Sequence, residues 1–186
     1  MKYSIEKLIE ENKDWTKEDF VFFWGHRKGK KIGKTCFSQW YEIEFEVDGH
    51  VYNCAEQYMM AQKAWLFKDL ENFAKILDAT DPKEIKALGR EVKNFDSKIW
   101  NQHKFEIVVK GNLGKFAENP ELKDYLLSTG DKILVEASPY DKIWGIGMKE
   151  GTPGIDNPTN WKGEYLLGFA LMEVREELKI RNKKLR

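Results

Sequence analysis

The spacing of apolar residues predicts a mainly helical chain. Leucine, isoleucine, valine and aromatic residues recur every three or four positions, which places them on one face of a helix. Asp81 and Pro82 form a typical helix start, with Asp81 as the N-cap and Pro82 in the first turn. The predicted helices cover residues 55–67, 69–77, 81–89, 96–116, 120–127 and 164–179, after a short amphipathic helix within residues 1–19.

Shorter stretches carry the signals of β-strands. Residues 20–24 are mostly aromatic, and residues 132–137 form a brief, mostly apolar run. Polar and apolar residues alternate over 41–47, and Asp48-Gly49 is a strong turn signal that returns the chain through 50–52 as a hairpin. These elements predict an α+β fold: a mainly helical single domain with a small β-sheet.

Composition narrows the class of protein. The chain has 186 residues, with 31 basic and 31 acidic side chains, so no overall charge favours nucleic acid or a membrane surface. Two cysteines and three histidines provide neither a zinc-binding spacing nor a disulfide framework, and we expect no metal and no cofactor. The first fifteen residues lack the apolar core of a secretory signal, and no apolar run is long enough to cross a bilayer. We therefore expect a cytoplasmic protein without a membrane partner.

The segment 55–67 is the first candidate for chemistry. It reads AEQYMMAQKAWLF and is apolar almost all round, yet it carries Glu56 and Lys63. Seven residues are about two helical turns, so both charges point to the same side. A buried carboxylate and a buried ammonium need partners or a function. Two structural explanations compete: a capping box in which Asn53 is the N-cap and Glu56 satisfies a backbone N–H, and a Lys63 that reaches solvent along its methylene groups.

A second candidate cluster follows the strand predicted over 132–137. Its residues are Glu136, Asp141, Trp144, Gly145 and Gly147. They lie in or before a glycine-rich stretch, 140–163, that is too long for a simple connection. Glycine lets a backbone approach a ligand closely, and a tryptophan can stack on a planar ring. The competing explanation is a carboxylate that caps a turn beside a core tryptophan.

Weaker signals lie elsewhere in the chain. Residues 25–34 are rich in glycine and lysine, and such a loop can hold phosphates, although most runs of this kind are solvated loops. Arg90 can bind a phosphate or carboxylate through two N–H groups, or form a surface ion pair. Phe22, Trp24 and Trp100 are candidates for stacking on a base.

Several motifs occur in an order that resembles one known family. They are FSQW at 37–40, Asp48-Gly49, AEQYMMAQK at 55–63, LGR at 88–90, Trp100, LVEAS at 134–138 with Asp141, WGIG at 144–147 and LLGFALMEVREEL at 166–178. The ordered set is similar to the YbiA-like, or NADAR (NAD- and ADP-ribose-associated), family over roughly residues 20–179. We accordingly divide the chain into an N-terminal extension, 1–19, a YbiA-like domain, 20–180, and a basic tail, 181–186.

The resemblance implies an α+β fold and an N-glycosidase that cleaves the bond between a ribose and a nucleobase-like group. The substrate classes of the family are phosphoribosylamino-pyrimidine intermediates of riboflavin synthesis and guanine bases of nucleic acid that carry ADP-ribose. The partner is then a small riboside or an ADP-ribosylated guanine, on nucleic acid in the second case. By the same resemblance, Glu56 and Lys63 are central to the pocket, Trp100, Asp141 and Trp144 match further pocket positions, and Glu136 matches the family's strand carboxylate.

One position departs from the family. The usual pattern, Gly-x-Asn-x-Leu-Gly, has its asparagine where this chain has Tyr165, between Gly163 and Gly168. Asn157 or Asn160 in the preceding loop can take its place. The change leaves the identity of the substrate, and the activity itself, open.

The residues permit a defined chemistry. Cleavage of a riboside C–N bond passes through an oxocarbenium-like state at C1′, which a nearby carboxylate stabilises. We expect Glu56 or Asp141 in that role. Lys63 is either an ammonium that holds a phosphate or ribose hydroxyls, or a neutral amine that attacks C1′ or traps the opened aldehyde as an imine. Burial lowers the pKa of such a lysine, whereas a neighbouring Glu56 raises it.

The candidate residues thus fall into two groups. The candidate catalytic residues are Glu56, Lys63 and Asp141, and the candidate substrate-binding residues are Phe22, Trp24, Arg90, Trp100, Glu136, Trp144, Gly145 and Gly147. The rival hypothesis is a module that binds ADP-ribose or a related nucleotide without turnover, because such a module needs no carboxylate at C1′. A third is nucleic-acid binding through residues 25–34, which would weaken steeply with salt.

Overall fold

The computed structural model describes residues 2–11 and 14–184, and helices dominate them. The α-helices are α1 (Ile5–Glu10), α2 (Ala55–Leu66), α3 (Leu70–Asp78), α4 (Pro82–Arg90), α5 (Ser97–Glu118), α6 (Pro120–Ser128) and α7 (Leu166–Lys184). The strands are β1 (Phe20–Phe23), β2 (Phe45–Val47), β3 (His50–Tyr52) and β4 (Ile133–Glu136). Short 3₁₀ helices cover Lys17–Asp19, Lys34–Phe37 and Pro158–Asn160. Residues 1, 12, 13, 185 and 186, which belong to the predicted extension and tail, lie outside the described residues.

The chain forms two compact units. The terminal unit comprises Met1–Ser38 and Pro120–Arg186, and the middle unit comprises Gln39–Asn119. In the part of the chain that the structure describes, no helix combines the length and apolar character that crossing a bilayer requires.

A parallel pair of strands organises the terminal unit. β1 (FVFF) and β4 (ILVE) pair in register from Phe20 with Ile133 to Phe23 with Glu136. Both strands are nearly continuous apolar runs and mostly buried, as expected for parallel strands. α7 packs on β4, and α6 packs on α7. The segments that follow β1 and β4 therefore start from the same edge of this small sheet.

α7 approaches β4 closely because its first turn contains a glycine. A Cβ atom on Gly168 would lie 2.0 Å from the carbonyl oxygen of Leu134 and 2.3 Å from the ring of Tyr165. Tyr165 precedes α7 with a left-handed φ of 63° and is fully buried. Its hydroxyl donates to the Leu134 carbonyl, and its ring makes edge contacts with Trp161 and Phe169. Tyr165 thus ties the start of α7 to β4.

The middle unit begins with the predicted hairpin. β2 and β3 are antiparallel, and Asp48 and Gly49 have positive φ values of 53° and 79°, as a type I′ turn requires. The alternation over 41–47 predicts a strand of seven residues. In the structure, regular pairing covers only three residues on each side. Before β2 the backbone is irregular, although the N–H of Ile43 still donates to the Asn53 carbonyl (2.9 Å).

α2 is the helix around which the middle unit packs. It contacts α3, α4 and α5, and seven of its twelve residues are buried. Glycines allow this packing: a Cβ on Gly111 of α5 would lie 2.3 Å from the ring of Tyr58. The buried Gln57 donates its amide N–H groups to the carbonyls of Ile76 and Ala79, each at 2.9 Å, and so fastens the end of α3 to α2.

α7 differs from its predicted bounds at both ends. It starts at Leu166 rather than 164, since Tyr165 has a left-handed backbone that a helix cannot include. It continues to Lys184, so residues 181–184 of the predicted basic tail are helical.

Candidate active site

Lys63 lies half-buried near the end of α2. Its Nζ donates to the carbonyl oxygen of Gly89 (2.7 Å) and lies 4.3 Å from the ring centroid of Phe95 and 5.9 Å from that of Trp100. Burial lowers the pKa of Lys63 from its ordinary value, because the charged form loses hydration. The sequence leaves two opposing effects on this pKa, desolvation and a neighbouring Glu56. Desolvation sets the direction of the shift. The shift favours the neutral amine that a nucleophile or proton acceptor requires.

Lys63 donates to the backbone carbonyl of Gly89, and a side chain at position 89 would prevent α4 from coming this close to α2. Gly89 lies in the last turn of α4, and a Cβ atom on it would lie 2.1 Å from the sulfur of Met60. Met60 is buried on α2, three residues before Lys63, so contact between α2 and α4 sets the position of the carbonyl. The next residue, Arg90, is exposed at the end of α4, where an anion from solvent can reach it.

Glu56 lies half-buried in the first turn of α2. The predicted capping box is wrong, because Cys54 is the N-cap and the side chain of Gln57 accepts the N–H of Asn53 (2.6 Å). The helix starts at Ala55 as predicted, but its N-cap lies one residue later than the capping box requires, and Gln57 takes the position that the box assigns to Glu56. Glu56 and Lys63 lie about 10 Å apart along α2, each near the helix end whose partial charge favours it.

In the terminal unit, the second candidate cluster lies beyond the carboxyl ends of β1 and β4. Glu136 is the half-buried last residue of β4, opposite Phe23. One further bond, from the N–H of Ala137 to the Phe23 carbonyl (2.9 Å), extends the pairing. Ligands of open parallel sheets bind outside this edge. Within this unit the structure brings together Glu136, Asp141, Trp144, Gly145 and Gly147.

Asp141 organises the loop that follows β4. Its Oδ1 accepts the backbone N–H groups of Ile143 and Trp144, both at 2.8 Å, and its carbonyl accepts the N–H of Gly147 (3.1 Å). A Cβ atom on Gly145 would lie 3.1 Å from the same carbonyl, and Gly147 has a left-handed φ of 65°. The turn-capping explanation for Asp141 thus describes one of its two carboxylate oxygens.

Two substitutions should distinguish turn capping by Asp141 from a role of its carboxylate in the reaction. Asp141→Asn keeps an oxygen acceptor and should leave the thermal unfolding temperature almost unchanged. Asp141→Ala removes both hydrogen bonds and should lower the free energy of unfolding by about 1–2 kcal/mol. Lost turnover in a fully stable Asp141→Asn would assign the carboxylate to the reaction. Equal stability of the alanine and asparagine variants would contradict the capping role.

Trp24 and Tyr140 form an exposed aromatic pair in the terminal unit. Their ring centroids are 6.0 Å apart, and the side chains are 45% and 85% exposed. Trp144 is half-buried. Phe22 is 7% exposed and stacks on Phe20, so it lies in the apolar core and has little ring surface for the predicted role in binding.

The residues at the departure from the family pattern are structural. Tyr165 is buried and bonded to β4, so it presents no polar group to solvent. The side chain of Asn157 accepts the N–H of Thr159 (3.0 Å) and caps a 3₁₀ helix. Asn160 donates to the Gly154 carbonyl (2.9 Å). Both asparagines therefore hold the shape of their own loop.

Sequence reasoning missed two lysines and two aromatic residues. Lys104 and Lys115 of α5 are buried, the second completely. Eleven residues are three helical turns, so the two lysines share a face, and this spacing is a signal that a search for buried charge could use. Phe95 and Tyr140 belong to no periodic pattern, and only their contacts in the folded chain distinguish them.

A cavity of about 500 Å³ lies at the amino ends of β1 and β4, away from the candidate cluster of this unit. Its lining includes Trp15, Ile133 and Arg175 but none of the candidate site residues. Among the described residues, histidine, cysteine, aspartate and glutamate side chains form no group of three or more that could hold a metal ion.

Known proteins are similar to this chain in both sequence and fold. The NADAR domain model matches residues 22–179. The chain belongs to the NADAR family. Among NADAR relatives, N-glycosidase R617 of Acanthamoeba polyphaga mimivirus is 48% identical over 166 residues, which are 86% of this chain and 96% of that protein. N-glycosidase YbiA of Escherichia coli (strain K12) is 31% identical over 144 residues, 77% of this chain and 81% of that protein.

The NMR structure of the E. coli protein YbiA has a TM-score of 0.71 and 27% identity to this chain, and the match covers 90% of this chain and 89% of that one. The predicted family and fold class, a mainly helical α+β domain with a small β-sheet, are therefore confirmed. The prediction of an enzyme is confirmed as well, at the level of an N-glycosidase, because the named NADAR relatives carry that activity in their names.

Proposed function

We propose that this NADAR protein hydrolyses the bond between C1′ of a ribose and the nitrogen of a nucleobase-like group, with Lys63 as the reacting amine. The observation that carries the proposal is the setting of Lys63, whose half-buried amine is held on the Gly89 carbonyl and has a lowered pKa. An ammonium that only held phosphate would be favoured by a raised pKa, whereas a nucleophilic amine is favoured by a lowered one.

The proposed step replaces one C–N bond with another. The lone pair of Nζ forms a bond to C1′ as the bond from C1′ to the base nitrogen breaks. The leaving nitrogen keeps the bonding pair and takes a proton, which a positioned acid supplies. Water then replaces Nζ at C1′ and regenerates the free lysine. The transition state carries positive charge at C1′, as in other glycoside hydrolysis.

Glu56 is the carboxylate that we place near C1′. Asp141 is the other candidate, but one of its oxygens is engaged by two backbone N–H groups of its own loop. Glu56 shares α2 with Lys63 and lies half-buried in the first turn of that helix. A carboxylate at this position would stabilise the developing cation. An uncharged amide in its place would not.

The substrate that we favour is ADP-ribosylated guanine on nucleic acid, so that the reaction removes ADP-ribose from DNA or RNA. Residues 26–34 contain five lysine and arginine side chains and no acidic one, although the whole chain is neutral. They follow the exposed Trp24, which pairs with Tyr140. Exposed aromatic rings next to basic residues are the usual surface for single-stranded nucleic acid. A phosphoribosylamino-pyrimidine of riboflavin synthesis is the second candidate, with Arg90 available for its phosphate. We place the reaction in the cytoplasm.

The test is product release from both substrate classes by the wild-type chain. We expect guanine-ADP-ribosylated oligonucleotide to lose ADP-ribose, and the pyrimidine riboside to react more slowly or not at all. Glu56→Gln should reduce turnover by about 10²-fold or more while binding survives. Glu106→Gln, an exposed glutamate of α5, is the matched control and should keep full activity.

Two outcomes would change the assignment. Cleavage of the pyrimidine riboside alone would move the protein to the riboflavin-related class. If neither substrate is cleaved but ADP-ribose binds in calorimetry, the result would favour the rival hypothesis of a module that binds the nucleotide without turnover.

A further inference from the structure

Phe95 lies in the connection between α4 and α5, and several contacts fix its position. The preceding N–H of Lys93 donates to Asp69 (2.8 Å), and the following Asp96 caps α5. The ring of Phe95 meets the buried Phe67 edge to face, with centroids 5.3 Å apart. The connection therefore holds its aromatic side chain in one place, although 45% of that side chain is exposed.

The same ring covers Lys63. Phe67 is the C-cap of α2 and follows Lys63 by four residues, so the two side chains are neighbours at the end of that helix. Phe95 contacts Phe67 and also presents its ring to the Nζ of Lys63, 4.3 Å from the centroid. Gly89 accepts a hydrogen bond from the same Nζ at 2.7 Å. The amine thus lies between the Gly89 carbonyl, which accepts its hydrogen bond, and the Phe95 ring, which is nearer to it than the Trp100 ring at 5.9 Å.

We propose that Phe95 is a positioning residue for the reaction of Lys63, because its ring holds the amine on the Gly89 carbonyl and keeps water from it. The inference rests on the proposed function only for its effect on turnover; the position and hydration of the amine are properties of the free protein. No motif or pattern in the sequence marks Phe95.

The ring can influence the proton on Lys63 in two opposite ways. Excluding water disfavours the ammonium, whereas the face of an aromatic ring attracts a cation. Desolvation is the cause of the lowered pKa, so loss of the ring should raise it. α2 packs with α3, α4 and α5, and the charged residues on these elements and on the connection before α5 are unchanged by the substitution. They are Glu56 on α2, Glu71, Lys75 and Asp78 on α3, Lys83, Glu84, Lys86 and Arg90 on α4, Glu91, Lys93 and Asp96 in the connection, and Lys98, Lys104, Glu106, Lys110, Lys115 and Glu118 on α5. The comparison of wild type and variant therefore isolates the ring.

The experiment measures the titration of Lys63 directly, in the wild-type chain and in Phe95→Ala, Phe95→Leu and Phe95→Tyr. Trace labelling with acetic anhydride over a pH series reports each free amine, and mass spectrometry of a proteolytic peptide isolates Lys63. We expect the midpoint in Phe95→Ala to rise by about one pH unit, which leaves about tenfold fewer neutral amines at a given pH below it. Phe95→Tyr should keep the wild-type midpoint, because the ring remains.

Controls make the result specific. Trp65→Ala removes a different exposed ring, which lies on α2 and contacts Phe73. This change should leave the titration midpoint of Lys63 as it is in the wild type. Lys75, exposed on α3, serves as an internal reference in every digest. Phe95→Leu keeps an apolar contact for Phe67 and covers the case in which the alanine variant fails to fold.

An unchanged midpoint in both Phe95→Ala and Phe95→Leu would overturn the proposal, and so would a fall, which would mean that the ring stabilises the ammonium. With an active substrate, the pH at which kcat/KM reaches half its maximum should move with the labelling midpoint, and high pH should restore the alanine variant. If the midpoint rises but no variant, wild type included, cleaves either substrate, the positioning by Phe95 stands and the proposed function fails.

Discussion

Lys63→Ala should lower kcat/KM by roughly 10³-fold or more, in the upper part of the range for removing a reacting amine or base. The alanine has no atom that can bond to C1′ or accept a proton. Stability should change little in comparison, because the side chain is half-exposed and the Gly89 carbonyl that accepts its hydrogen bond can accept one from water instead. Lys75→Ala, at an exposed ion pair of α3, is the control and should remain fully active.

A second variant separates the two roles of Lys63. Lys63→Arg keeps a positive charge but cannot act as a nucleophile, since guanidinium stays protonated. We expect it to be as inactive as the alanine variant. Sodium borohydride added during turnover should reduce any imine to a stable adduct on Lys63, visible as added mass on its peptide. An active arginine variant with no adduct would contradict the amine mechanism and assign Lys63 to phosphate binding.

Gly168→Ala should destabilise the protein by on the order of 3 kcal/mol, at the upper end for an overpacked site. In an ordinary helix this change is stabilising by up to about 1 kcal/mol, so the predicted effect has the opposite sign. The reason is geometric: the new methyl group would lie 2.0 Å from the Leu134 carbonyl, an atom of the β4 backbone that cannot rotate away. Tyr165, bonded to that carbonyl, would also have to move.

Thermal unfolding measures this effect. For a chain of this size the expected loss corresponds to a fall of roughly 6–12 °C in the Tm. Gly33→Ala is the matched control in the same unit, because Gly33 has an extended backbone, φ −153°, and nothing within 4 Å of an added Cβ. Equal Tm values for the two variants would show that α7 can shift away from β4 at little cost, and the close approach would then not be a constraint.

The parts of the fold that depend on neighbouring residues could be predicted from the sequence. The hairpin turn needs only two residues with left-handed backbone between short strands, and Asp48 and Gly49 have that backbone in the structure. Asp81 caps α4 as expected, because the signal and the hydrogen bonds lie within three residues. The cap of α2 is different: the N-cap is Cys54 and not Asn53, so the N–H of Asn53 donates to Gln57 and not to Glu56, and patterns locate helix caps only to within a residue or two.

Contacts between distant segments could not be predicted in the same way. The pairing of β1 with β4 joins residues more than a hundred positions apart, and neither apolar run specifies its partner. The setting of Lys63 depends on where α4 and the connection after it lie against α2. The glycine at position 89 and the aromatic residue at 95 are ordinary residues in the sequence, and the fold alone brings them to the amine.

The order of the strands also has a consequence for synthesis. The middle unit, Gln39–Asn119, is one continuous stretch, so the ribosome delivers all of its elements together. β1 leaves the ribosome well before β4, and its register places Phe20 beside Ile133. At about 5–20 residues per second, that interval lasts roughly 6–23 s. Throughout it the FVFF segment of the nascent chain is without its partner strand, and unpaired apolar strands of this kind are prone to aggregation.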